Sequence, residues 1–403
     1  MTAPFDPTRR RQLLRGALLA TGASAWSRLS LAASDPARGE RRLVLVLLRG
    51  GLDGLAAVPA PGDPDFAAAR GALAQFGAPV LPLSGPFALH PALVQMHAMH
   101  GRGELAVLHA TGLAYRERSH FDAQQALESG GTRPHELVSG WLGRALAQPV
   151  RRALALNVSV PLVLRGPGPV DTWTPSTLAE PSADLVARLE RWYAGDAALA
   201  PALARAKALH LDMADSGMSD GARGPRAAGA RAGAFVALAQ KAAEFLATPG
   251  GPQAAVLELG GWDSHANQAN PNGALAQGLR QLDAGLDALR TGLAANGTWA
   301  RTVVVVATEF GRQVAINGTL GTDHGSGGAA FVLGGAVRGG RVLGDWPGLA
   351  PKDRHEGRDL RSTTDLRALL KGVLSEHWQL PRRVLDEQVF PGSATIAPLH
   401  VLV

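Results

Sequence analysis

Side chains that can assemble a hydrolytic site fall at four separated places in this 403-residue chain. Asp53 follows a Gly-Gly turn, Ser119 precedes a run with helical character, and Asp263 and His265 flank a single residue. Glu309, Arg312, Asp323 and His324 lie in a Gly-rich stretch between two apolar runs. Carboxylates and imidazoles together are the oxygen and nitrogen donors of a metal site, and a nearby hydroxyl adds a nucleophile. The chain has no Cys, which excludes disulfides, thiolate metal sites and Cys nucleophiles.

Each group also has a plain structural reading. Asp53 could do no more than hydrogen-bond its own turn. Ser119 could be only the cap of the next helix, although Arg116 and Arg118 beside it favour an anion-binding or nucleophilic hydroxyl at that helix start. Asp263 could cap a helix with His265 a solvated bystander, but Gly-Gly-Trp-Asp-Ser-His concentrates many site-type residues in one turn. His90, His97 and His100 do not share a spacing that suits one convergent site and are read as surface or helix-end histidines.

The four places share a position: each follows an apolar, strand-like run. Residues 42–48, 105–109, 254–259 and 303–307 read as buried strands, and 329–333 reads as a further parallel strand like 303–307. Residues 153–164 read as a strand pair or one long bent strand. Helical spacing of apolar residues marks 89–100, 120–128, 272–296 and 360–378, and residues 181–250 read as a helical cap or insertion with a mobile loop. The alternation predicts a doubly covered α/β sheet, and open α/β sheets hold ligands beyond the carboxyl ends of their strands. Glu309, immediately past such an end, is therefore placed where a ligand site is expected.

The chain is 46% hydrophobic with 49 Gly, enough for a substantial α/β core. Net charge is +6 and the pI about 10.4, but the arginines are scattered, without a basic block or interleaved aromatics, which argues against a nucleic-acid partner. Four of them, Arg9, Arg10, Arg11 and Arg15, open the chain ahead of a short, weakly apolar stretch and small residues. This resembles a twin-arginine export signal at 1–33, leaving a mature domain at 34–403 without a stable membrane span. The expectation is a periplasmic or secreted protein that meets the twin-arginine machinery already folded, with any metal loaded beforehand.

GGLDGL, RSHFDAQ, GGWDSH, TEFGR and GTDHGSGGAAFVLGG, in this order between residues 42 and 340, resemble the exported domain-of-unknown-function family numbered 1501. That family is similar to the alkaline phosphatase and sulfatase superfamily. The resemblance implies an alkaline-phosphatase-like three-layer sandwich, α/β in class, with a mostly parallel central sheet flanked by helices and metal ligands on loops at one edge. It implies Asp53 as a metal ligand, Ser119 as nucleophile, Asp263 and His265 as ligands of one ion, and His324 as a further ligand. Where relatives carry Asp-His-Gly this chain has Glu309-Phe310-Gly311, and a phenyl ring cannot replace an imidazole ligand. Glu309 could still bind a metal, Asp323 could compensate, or the site could hold one ion or none where relatives hold two; the ions implied are divalent, one or two of Zn, Mn, Ca or Mg. Arg312 would clamp the anion of a small-molecule or polymer phosphate or sulfate ester. The alternative is a non-catalytic exported binding protein that keeps the same fold.

Overall fold

The apolar run after residue 41 forms β1 (Arg42–Arg49), whose alternate side chains enter two different cores. Leu43, Leu45 and Leu47 pack on one face of the sheet and Val44, Val46 and Leu48 on the other. A strand buried on both faces has no polar alternation, which is why it reads as a continuous hydrophobic run. The computed structural model describes residues 41–175, 181–197, 199–215 and 228–402, which belong to one compact unit. The export signal expected at 1–33 lies outside the described residues.

Beside short turns and a small two-stranded sheet, the main further elements in chain order are α1 (Val94–Gly101), β2 (Leu105–Gly112), α2 (His120–Ser129), β3 (Ala153–Ala155), β4 (Val170–Thr172) and α3 (Ala183–Tyr193). They continue with α4 (Leu199–Asp215), α5 (Ala228–Ala247), β5 (Ala254–Gly260), α6 (Ala274–Ala294), β6 (Thr302–Thr308) and β7 (Gly328–Leu333). β8 (Arg341–Leu343), β9 (Thr364–Asp365) and α7 (Leu366–His377) close the fold. The sheet runs β8-β2-β7-β6-β1-β5-β3-β4, with β9 also paired to β2. α2 and α7 cover one face, and α1, α5 and α6 cover the other. This is the expected three-layer sandwich around a mostly parallel sheet.

The strand at 329–333 departs from expectation in direction. β7 is antiparallel to both β6 and β2, so the loop joining β6 to β7 leaves and re-enters the sheet at the same edge. Parallel neighbours would have required a crossover to the opposite edge. That edge also holds the ends of β1 and β5, since Leu48 pairs with Thr308 and Arg49 with Gly260. The expected long strand at 153–164 is also replaced: β3 has three residues and a 3-10 turn follows at Leu162–Leu164. Within 181–250, α5 buries Phe235, Ala239, Ala242 and Leu246 in the layer core, whereas α3 buries no side chain. No helix among the described residues is long and apolar enough to cross a membrane.

Candidate metal centre

Three imidazoles and one carboxylate from three strand ends lie together at the carboxyl edge. His120 opens α2, Asp263 and His265 follow β5, and His324 comes from the β6–β7 loop. His324 Nε2 lies 3.1 Å from His120 Nε2 and 3.1 Å from His265 Nε2. Asp263 Oδ1 lies 3.4 Å from His120 Nε2, 2.9 Å from His265 Nε2 and 3.1 Å from His324 Nε2. His120 Nε2, His324 Nε2 and Asp263 Oδ1 lie within 4.8 Å of one another, spacings that suit donors sharing one ion at about 2.0–2.1 Å, and His265 Nε2 flanks this group through its contacts to Asp263 and His324.

The outward nitrogens settle what those facing atoms offer. His120 Nδ1 lies 2.8 Å from Glu309 Oε1, His265 Nδ1 lies 3.3 Å from Asp323 Oδ1, and His324 Nδ1 lies 2.9 Å from the Arg118 carbonyl oxygen. All three partners accept, so each neutral ring carries its proton on Nδ1 and turns an Nε2 lone pair inward. Three lone pairs and a carboxylate oxygen that face one another repel unless a cation lies among them. Fixing a ligand imidazole through its other nitrogen is also the usual support for a metal site. The donor set therefore fits a divalent ion.

Local backbone explains how these groups are held. Gly50, at φ +120, turns so tightly that a Cβ there would stand 2.7 Å from the Asp263 amide nitrogen. Its own N–H donates to Glu309 Oε1 at 2.8 Å. In the β6–β7 loop, Arg312 and His324 bridge antiparallel, and a Cβ on Gly311 would stand 1.9 Å from the Gly327 carbonyl oxygen. Only glycine permits this approach, which folds the loop back and returns His324 to the strand edge. Arg118 takes φ 59, rare for a side-chain-bearing residue, and its carbonyl reaches His324.

Electrostatics follow from the same contacts. Burial works to raise the Glu309 carboxyl, but hydrogen bonds from His120, Gln124 and Gly50 outweigh it and hold it below its ordinary range. The bond to Glu309 raises His120, against its burial. His324 is lowered, chiefly by burial. Asp263 is partly desolvated, which opposes ionisation, yet the Arg312 bond and charge bring it to about 2. Hydrogen bonding from Asn317 lowers Asp323. The carboxylates are thus ionised at neutral pH. The Asp263 and His265 side chains are 44% and 46% exposed, so the cluster opens to solvent on that flank.

The structure brings Asp263, His265, Glu309, Arg312, Asp323 and His324 together, in differing positions. Glu309 and Asp323 meet the outer nitrogens of imidazoles and so orient donors instead of facing the centre. Arg312 is not open to a substrate anion: its side chain is fully buried, with NH1 on Asp263 Oδ1 at 2.7 Å and Nε and NH2 on Thr322. Its geometry positions Asp263. Asp53 stands outside the donor cluster. Its Oδ1 caps the one-turn helix Gly54–Ala57, and its Oδ2 accepts from the buried Arg70 guanidinium and from Gln268. Ser119, half-buried at the α2 N-cap position, makes no capping bond with its hydroxyl.

His120 was not singled out by sequence reasoning, because the cap grammar of the helix start drew attention to Ser119 beside it. A usable signal was its spacing to Gln124, four residues on: both side chains reach Glu309 Oε1 from one face of α2. Phe310 does not ligate. Its ring packs against His120 and His324 with centroids 4.7 and 5.0 Å away. His90, read as a surface or helix-end residue, is instead buried, and burial lowers it to about 4.

No curated protein matches the chain. Among solved structures it is similar to a sulfatase from Pseudoalteromonas sp., at 13% identity and a TM-score of 0.41, covering 91% of this chain and 74% of the other. It is also similar to the phosphonate monoester hydrolase of Agrobacterium radiobacter, at 11% identity and a TM-score of 0.42, covering 85% and 74%. A 2-O GAG sulfatase is similar at 10% identity and a TM-score of 0.40, covering 89% and 73%. Residues 74–389 match the family described as protein of unknown function (DUF1501), which spans both the α2 segment and the β6–β7 loop that build the centre. The chain belongs to the DUF1501 family.

Proposed function

We propose that the protein is an exported, metal-dependent hydrolase of phosphate or sulfate esters. The observation that carries this reading is the convergence of His120, His265 and His324 Nε2 on Asp263 Oδ1, with every Nδ1 already committed to an acceptor. Imidazoles with a carboxylate, as in His120, His324 and Asp263, suit Zn best among Zn, Mn, Ca and Mg, since the last two prefer oxygen donors. Bound there, the ion would supply Lewis acidity to a phosphoryl or sulfuryl oxygen. His120, His324 and Asp263 would hold it, with His265 beside them, while Glu309, Asp323 and the Arg118 carbonyl fix the rings and Arg312 fixes the carboxylate. Ser119 is the candidate nucleophile, its hydroxyl at the α2 start adjoining His120 and not spent on the helix cap. Export rests on the arginine-rich segment at 1–33.

One observation favours a second reading, a non-catalytic exported binding protein. Asp53, which the resemblance would give to a metal, already has a cation in the Arg70 guanidinium, so a two-ion catalytic arrangement has lost a donor. Metal content of the exported protein and its turnover of 4-nitrophenyl phosphate and 4-nitrophenyl sulfate decide between them. The hydrolase reading expects at least one ion per chain, lost in His120→Ala, and turnover that falls with it. Protein that carries no ion and stays inert with added Zn, Mn, Ca or Mg sinks it. Turnover that survives Ser119→Ala removes the nucleophile assignment and leaves activated water in its place.

A further inference from the structure

The other flank of α2 borders an open groove of about 590 Å³, within the size range of small-molecule sites. It adjoins the centre on two chain segments. Gln124 lines the groove and donates to Glu309, and Arg49 on its wall precedes the Gly50 amide that does the same. Two apolar side chains of the lining are almost bare, Phe121 at 87% and Val138 at 90% exposure. Large apolar side chains grouped around one concavity mark a contact surface more often than chance. Gln125, Asn157 and Ser159 add amide and hydroxyl groups to the same lining.

The charges divide into spent and unspent. Arg49 is held by Glu128 at 2.7 Å and Glu258 at 2.8 Å, so its positive charge is spent on two carboxylates. Arg165 is exposed, and its guanidinium has no hydrogen bond or ion pair among the described residues. A lipid chain would bury the Arg49 network against hydrocarbon, at the cost of desolvating three charges. A nucleic-acid strand would meet two carboxylates and little unpaired positive charge. A sugar ring presents apolar C–H faces to an aromatic ring and a rim of hydroxyls to amides, and an anionic substituent would pair with the free guanidinium.

We propose that the groove is the subsite for the alcohol portion of the ester, and that this portion is a saccharide carrying a second anionic group. The assignment of the groove to a substrate rests on the hydrolase reading, but binding to it can be measured without turnover. Calorimetric titration of the full mature protein with a sulfated, a phosphorylated and an uncharged tetrasaccharide tests it. Binding of one or both charged probes, at least about tenfold tighter than the uncharged one, is expected from a single charge-assisted contact. Phe121→Ala and Arg165→Ala should each weaken that binding by about tenfold, with bound metal and thermal unfolding as in the parent. Failure of all three probes to bind, unchanged affinity in both variants, or equal affinity for the uncharged probe overturns the proposal. Affinity that is lost in the variants of a protein without metal or turnover upholds the groove and overturns the hydrolase reading instead.

Discussion

His120 Nδ1 lies 2.8 Å from Glu309 Oε1, and that same oxygen accepts the Gly50 amide at 2.8 Å and the Gln124 amide at 3.1 Å. The other oxygen takes the Thr308 hydroxyl at 2.9 Å. A buried carboxylate with four donors is not free to ligate, but it is well placed to orient an imidazole and enrich its far nitrogen.

Glu309→Gln tests that role. The amide keeps the size of the side chain but removes the charge and places an N–H among donors. Loss of an orienting partner of this kind costs about 10–100-fold in metal affinity, to be read by competition with a chelating dye at fixed pH. An affinity equal to that of the parent would mean that His120 needs no orientation from Glu309.

How much of this was legible in the sequence follows from what residue type encodes. The buried strands were legible because β-branched and aliphatic runs without alternation have few other uses; β6 is an example. The direction of β7 was not, since an all-apolar run reads alike in either sense and only its pairing with Leu105–Leu108 and Val304–Val306 reveals it. At the centre, Asp263, His265 and His324 were visible as donors past strand ends. Glu309 and Asp323 are chemically able to ligate, and whether a carboxylate meets the ion or the back of an imidazole depends on a ring orientation that no spacing records.

Acid should destabilise the fold through two histidines remote from the centre. Burial brings His109 and His377 to about 4, from 6.5, while their Nε2 atoms bond the carbonyl oxygens of Val58 and Arg42. Between those values the unfolded chain binds protons that the folded chain refuses, so stability is full above pH 6.5 and falls towards pH 4. At ~1.4 kcal/mol per pH unit, each contributes up to about 3 kcal/mol. Thermal unfolding from pH 7 to pH 4 should therefore show a falling Tm, and His377→Gln should flatten the slope. A slope unchanged in that variant would remove His377 from the account.

The Asp53–Arg70 pair is buried on both sides, at 1% and 0% exposure. Breaking a buried pair by deleting one partner costs roughly 3–5 kcal/mol, because the remaining charge is stranded. Arg70→Met should lower Tm by several degrees without lowering metal content, and adding Asp53→Asn should recover part of the loss. A fall in bound metal with unchanged Tm would return Asp53 to the list of ligands.

Phe310→His restores an imidazole where the resemblance expects one, beside His120 and His324. A second ion would also need carboxylates, and those nearby are committed. Asp53 answers Arg70, Gln268 and two helix amides, and Glu309 answers four donors. The new ring would also enter a pocket shaped for a phenyl group, only 6% exposed and packed against Gly51, where a Cβ would stand 2.6 Å from the ring. The expected outcome is a less stable protein with the same number of ions per chain, counted by elemental analysis of the folded protein. Two ions where the parent holds one would show that the missing imidazole alone had kept the second site from forming, and that Arg70 or the Glu309 donors yield when it is supplied.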